Sequence, residues 1–155
     1  YMPPREAIEN LCACRKAGAN YLLNVGPTAE GAIPPYERAC LERTGDWVAM
    51  HADVIYPGRP CGINGPGDDF GLEADGKVFL FIHHLAVRGD EHVTVATGGA
   101  GPRKFEGIGK DIKSAHWVDN GEALKFEQGE STLTLNATGF PYGTNTVVRV
   151  ARLEL

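Results

Sequence analysis

The sequence predicts an α/β segment over residues 1–57 followed by an all-β antiparallel sandwich over residues 58–155. Two observations carry that division. Apolar residues recur at helical spacing before Gly58, and turn dipeptides crowd the chain after it. A third observation complicates the first part: a short apolar run near the start has no candidate strand beside it.

Ile8, Leu11, Cys12 and Arg15 fall at i, i+3, i+4 and i+7, which predicts a helix over residues 4–17. Pro4 suits its first turn and Gly18 the position just past its end. Tyr21-Leu22-Leu23-Asn24-Val25 then reads as a strand buried on both faces, because it is apolar with little alternation and stops at Gly26-Pro27. Pro34-Pro35 starts a second helix with Cys40, Leu41, Thr44, Trp47 and Val48 on its inner face, running to about His51. Val54-Ile55-Tyr56 is a short apolar tail before Pro57-Gly58-Arg59-Pro60 breaks the chain.

Beyond Gly58, β-type runs alternate with turn signals. Asp75-Gly76, between Phe70–Ala74 and Lys77–Leu85, is a hairpin signal. Further runs cover His92–Ala96, Ala123–Glu127, Ser131–Ala137 and Thr146–Leu155, so roughly six to eight strands are expected. In the last run Val148 and Val150 hold one phase while Leu153 and Leu155 hold the other, and a bulge near Ala151 would reconcile them.

The run at 21–25 poses a pairing problem. A strand buried on both faces belongs in a parallel sheet, which needs neighbours on its edges. Residues 1–56 supply none, so its partners are expected upstream of Tyr1 or in another chain.

The net charge of -5, with basic residues scattered, argues against a nucleic-acid partner or an anionic membrane surface. No apolar run approaches the ~18 residues of a membrane span. Cys12 and Cys14 point roughly 200° apart on a helix, so they can neither bridge nor share a metal. With Cys40 and Cys61 they read as small buried hydrophobes, a Cys40–Cys61 bridge being the alternative.

His83 and His84 are adjacent in a strand and face opposite sides, and His51, His92 and His116 have no ligand partner at metal spacing. Gly98-Gly99-Ala100-Gly101 and Gly107-Ile108-Gly109 fit neither phosphate fingerprint and read as hairpin loops. No metal or other cofactor is expected. Most carboxylates, Glu6, Glu9, Glu30, Glu37, Glu42, Asp46 and Asp53, sit where a solvated charge is the ordinary role, and Asp68-Asp69 falls in a Gly-rich linker. No Gly-x-Ser-x-Gly elbow exists. Asn136-Ala137-Thr138 is a glycosylation sequon. Trp47 reads as helix core, and Trp117 as sandwich core or a sugar-stacking surface. Spacing alone therefore reveals no catalytic set.

One stretch is specific. Asn20-Tyr21-Leu22-Leu23-Asn24-Val25-Gly26-Pro27-Thr28-Ala29-Glu30-Gly31, with Ile33-Pro34-Pro35, resembles the N-L-L-L-N-[IV]-G-P-x-x-[DE]-G-x-I-P segment of the α-L-fucosidase family of glycoside hydrolases. Lys16-Ala17-Gly18-Ala19-Asn20 is similar to S-K-G-G-N, Leu41–Trp47 to L-x-x-[IV]-G-x-W, and Ala52–Tyr56 to G-E-A-I-Y; Tyr1 stands where a W-G-Y has its last aromatic.

The resemblance implies that residues 1–57 are the terminal helix–strand–helix of a (β/α)8-like barrel and that 58–155 are the C-terminal sandwich. It implies a retaining hydrolysis of terminal α-L-fucosyl linkages on fucosylated oligosaccharides or glycoconjugates. The nucleophile and acid/base would lie upstream, since no position here matches them, and residues 1–155 alone would be inactive. Tyr1 and Asn24 would be substrate-binding residues near the barrel mouth, and the remainder of the barrel would be the partner of this segment. The rival from another class is a non-catalytic carbohydrate-binding or interaction module using the sandwich face around Trp117 or the concave strands.

Overall fold

The computed structural model describes residues 1–89, 98–144 and 147–155. The expected strand His92–Ala96 and the start of the last expected run, Thr146, lie outside the described residues. Among the described residues the elements are three helices and then eight strands: α1 (Pro4–Lys16), α2 (Pro35–Met50), α3 (Ala52–Ile55), β1 (Arg59–Asn64), β2 (Phe70–Ala74), β3 (Lys77–Ile82), β4 (Gly101–Glu106), β5 (Ser114–Trp117), β6 (Phe126–Gln128), β7 (Thr132–Ala137) and β8 (Arg149–Glu154).

The strands form one antiparallel sheet in the order β5-β8-β3-β2-β1-β4-β7-β6. The expected pair of sheets is thus a single sheet that nearly closes on itself. β1 carries the irregularity: its register against β2 shifts between Pro60 and Asn64, and it meets β4 only at Asn64–Glu106. At the far ends, His116 bridges to Ala123 and the Leu124 N–H donates to the Ala115 carbonyl, drawing β5 towards the chain entering β6. Gln128 closes the gap further: its Oε1 accepts from the Ile112 N–H at 2.9 Å and its Nε2 donates to the Lys110 carbonyl at 2.6 Å. The β2–β3 turn is the Asp-Gly hairpin expected, with Asp75 at φ 48° and Gly76 at φ 73°. Gly71 is glycine for a packing reason. A Cβ there would lie 2.8 Å from that of Ile63, so β1 could not lie so close over β2.

Two hydrophobic clusters use opposite faces of this sheet. Inside the curl, Val78, Leu80 and Ile82 of β3 meet Ile63, Phe105, Leu133, Leu135, Ala151, Leu153 and Trp117. Outside it, Phe79 and Phe81 of β3, Phe70 and Leu72 of β2, and Val148 and Val150 pack against Ile8 and Cys12 of α1, Trp47 of α2, and Val54 and Ile55 of α3. β3 and β8 are therefore buried on both faces, and each large apolar side chain there stabilises by roughly 1.5–3 kcal/mol.

This arrangement corrects the expected bulge. β8 pairs without a break from Arg149 to Leu153 against β3, and Ser114–Trp117 pairs along its other edge. The two phases coexist because Val148 and Val150 face the helices while Ala151 and Leu153 face the curl.

The larger correction concerns residues 21–25, which form no strand. Leu22 is 83% exposed and Val25 37%, where burial on both faces was expected. The reason is the missing partner: no described strand lies beside the segment, and apolar character alone cannot satisfy backbone N–H and C=O groups. The four cysteines are free, so Cys40 and Cys61 are not bridged.

Candidate functional site

Of the two sequence-predicted site residues, Asn24 falls where three chain segments meet, and Tyr1 precedes Met2, which lines the same place. The N-terminal end of α1, the extended segment before Gly26 and the N-terminal end of α2 enclose a hollow of about 50 Å³ lined by Met2, Leu23, Asn24, Val25, Glu37, Cys40 and Leu41. Pro4 and Pro35 each occupy the first turn of their helix, where a missing N–H costs nothing, and so fix where the two helices begin. The Tyr21 hydroxyl donates to Met2 Sδ at 3.4 Å, tying the extended segment to the start of α1.

Side chains in the extended segment divide between two directions. Tyr21 and Leu23 are half-buried against the helices, whereas Leu22 and Asn24 are exposed. Tyr1 lies beside Met2, is 86% exposed, and contacts the Tyr36 ring at a centroid separation of 5.0 Å.

Glu37 departs from the solvated role expected of it. It sits in the first turn of α2, where a negative charge suits the helix dipole, yet its Oε2 is buried with no hydrogen-bond partner among the described residues. Proximity to Asn24 could not be read from spacing, because it depends on how the intervening loop closes. That loop is held by the Thr28 N–H donating to the Ala32 carbonyl at 2.8 Å and the Gly31 N–H to the Thr28 carbonyl at 2.9 Å.

Other polar groups are committed to structure. Asp69, expected in a linker, is buried and accepts from the His83 N–H at 2.7 Å and from Arg103 Nη1 at 2.8 Å. Arg103 also donates to the carbonyl of Gly99 at 2.6 Å, so this carboxylate pins three loops. Arg149 is fully buried, with its guanidinium 4.1 Å from the centre of the Trp117 ring, paired with Asp119 at 3.0 Å and donating to the Thr138 and Gly139 carbonyls. Trp117 itself is 1% exposed and donates through Nε1 to the Thr138 hydroxyl. It is core, so of the two surfaces the binding-module alternative named, the sugar-stacking face around Trp117 is removed.

His83 and His84, expected to face opposite sides of a strand, instead lie past the end of β3, where His84 turns at φ 56°; their ring centroids are 6.1 Å apart and both line one hollow, His83 buried and His84 exposed. His51 is buried at the end of α2; its Nδ1 donates to the Trp47 carbonyl at 2.8 Å, while Nε2 has no partner among the described residues. Burial holds its pKa below the ordinary histidine value, against the opposing pull of that carbonyl and of Asp119. Burial, with Glu9 adding to it, pushes the Cys12 thiol far up, so Cys12 is no nucleophile. Among the described residues no group of three or more His, Cys, Asp or Glu could hold a metal ion, and no helix is long and apolar enough to cross a membrane.

Comparison with known proteins accounts for this end of the molecule. Residues 1–53 match the family model described as Alpha-L-fucosidase. Over those residues the chain is similar to the α-L-fucosidase family. The tissue alpha-L-fucosidase of Mus musculus is 40% identical over 55 residues, covering 36% of this chain and 12% of that protein. The alpha-L-fucosidase of Dictyostelium discoideum is 27% identical over 139 residues, 88% of this chain and 29% of its own length. The chain thus spans less than a third of the curated relatives it matches, and the likeness falls on their C-terminal region. Among solved structures, alpha-L-fucosidase isoenzyme 1 from Paenibacillus thiaminolyticus shares the fold over 100% of this chain and 35% of its own, with a TM-score of 0.73 and 24% identity.

Proposed function

We propose that the complete protein containing this segment is a retaining α-L-fucosidase acting on fucosylated oligosaccharides or glycoconjugates. Residues 1–57 close its (β/α)8-like barrel, and residues 58–155 brace that closure. One carboxylate would attack the anomeric carbon while another protonates the leaving oxygen and then activates water; both are supplied by barrel strands outside this segment.

The observation that carries the reading is the family match over residues 1–53 together with the unpaired run inside it. In a barrel, strand residues point alternately to the lumen and to the surrounding helices. Tyr21 and Leu23 already pack on helices, which leaves Leu22 and Asn24 for the lumen. Asn24 lies next to the end of the strand, where active sites of such barrels sit, so its amide and the Tyr1 ring are the groups of this segment assigned to substrate.

The test is hydrolysis of a chromogenic aryl α-L-fucoside. The complete protein should release fucose, Asn24→Ala should lower that rate by about tenfold or more, and residues 1–155 alone should release none. Failure of the complete protein to turn over the substrate, or turnover by the isolated segment, overturns the reading.

A further inference from the structure

We propose that Tyr1 and Tyr36 together form a stacking platform on the rim of the site, which holds the glycan unit next to the terminal fucose. The proposal rests on the barrel reading above and adds a residue, Tyr36, that no motif singled out. Tyr36 is 49% exposed and Tyr1 86%, with ring planes inclined at 47° and centroids 5.0 Å apart. Neither phenol hydroxyl has a hydrogen-bond partner among the described residues. The pair thus presents two apolar faces edged by free hydroxyls, which suits the C–H faces and hydroxyl rim of a pyranose.

Place decides which part of the substrate it meets. The rings lie at the N-terminal ends of α1 and α2, and in a (β/α)8 barrel the helices ring the strands. They are therefore outside Asn24, on the same end of the barrel. The terminal fucose enters the lumen, and what it is attached to extends outward across this rim. The hollow beneath is too small to be the sugar site: at about 50 Å³ it falls far short of the ~300 Å³ at which ligand pockets begin. Among the described residues of this corner, the aromatic faces are what a sugar ring can rest on.

The experiment compares two substrates on the complete protein: α-L-fucosyl fluoride, which has no glycan beyond the fucose, and a fucosylated oligosaccharide. Tyr36→Ala should lower kcat/KM for the oligosaccharide about five- to tenfold, mostly through KM, with less than a twofold change for the fluoride. Tyr36→Phe should restore most of the loss, since the ring face carries the contact. An equal loss on both substrates, or none on either, overturns the platform while leaving the fucosidase reading standing. No turnover of either substrate by the unsubstituted protein overturns the fucosidase reading, and the platform with it.

Discussion

Two apolar runs in this chain meet opposite fates. Tyr21–Val25 is left open beside α1 and α2, with Leu22 83% exposed, whereas the run from Val148 through Leu153 lies in the middle of the molecule, buried on both sides. Their compositions do not explain the difference. β8 even contains Arg149, a charge the other run lacks. The difference is neighbours: β8 has β3 along one edge and β5 along the other, and helices and curl cover its two faces. Hydrophobicity makes a segment fit for burial, but backbone hydrogen bonding decides whether it becomes a strand.

The comparison breaks most sharply at Arg149. Arg149→Ala leaves the carboxylate of Asp119 in a largely buried site without its partner and empties the space over Trp117. It should cost about 3–5 kcal/mol in urea unfolding. A loss under ~1 kcal/mol would mean that β8 owes its place to its apolar residues alone.

A smaller, pH-dependent effect belongs to His51, packed 4.4 Å from the Trp47 ring at the joint between helices and sheet. Its folded pKa is held below the ordinary value, so below about pH 6.5 the unfolded chain takes up a proton that the folded site resists. Stability should be highest above about pH 6.5 and decline as pH falls through it. His51→Gln should flatten that part of the urea midpoint-against-pH curve, and an unchanged slope would assign the pH dependence to other groups.

The smallest effect should come from the open run. Leu22→Ser should change the stability of residues 1–155 by less than about 0.5 kcal/mol, the ordinary range for an exposed site. In the complete protein the proposed barrel reading puts that side chain in the lumen, so the same substitution should cost about 2 kcal/mol or more. Equal effects in both settings would argue that the run finds no partners anywhere.

Sequence reading fared differently on the same two runs. Both helices with their proline starts, the Asp75-Gly76 hairpin and the core role of Trp47 were legible because each is set by a few neighbouring residues. Tyr1 and Asn24 were reached only through resemblance, and the structure brings them to one corner without giving either a chemical task. The burial of Asp69 was illegible, since its partner Arg103 stands 34 residues away and nothing in the linker marks it. The phase change in β8 was visible but explained wrongly. A switch from one buried face to two looks like a bulge when only one face is assumed to be covered.

The indole of Trp47 donates to the carbonyl of Val148 at 2.9 Å, a contact spanning 101 residues. As the chain leaves the ribosome, α1 and α2 therefore emerge long before the strand that anchors them. Until β8 arrives, Phe79 and Phe81 have only part of their cover, and β5 has no edge to join. The waiting nascent chain carries two uncovered apolar surfaces, the condition under which folding intermediates aggregate. Loss of the few residues of β8 would leave both surfaces permanently open.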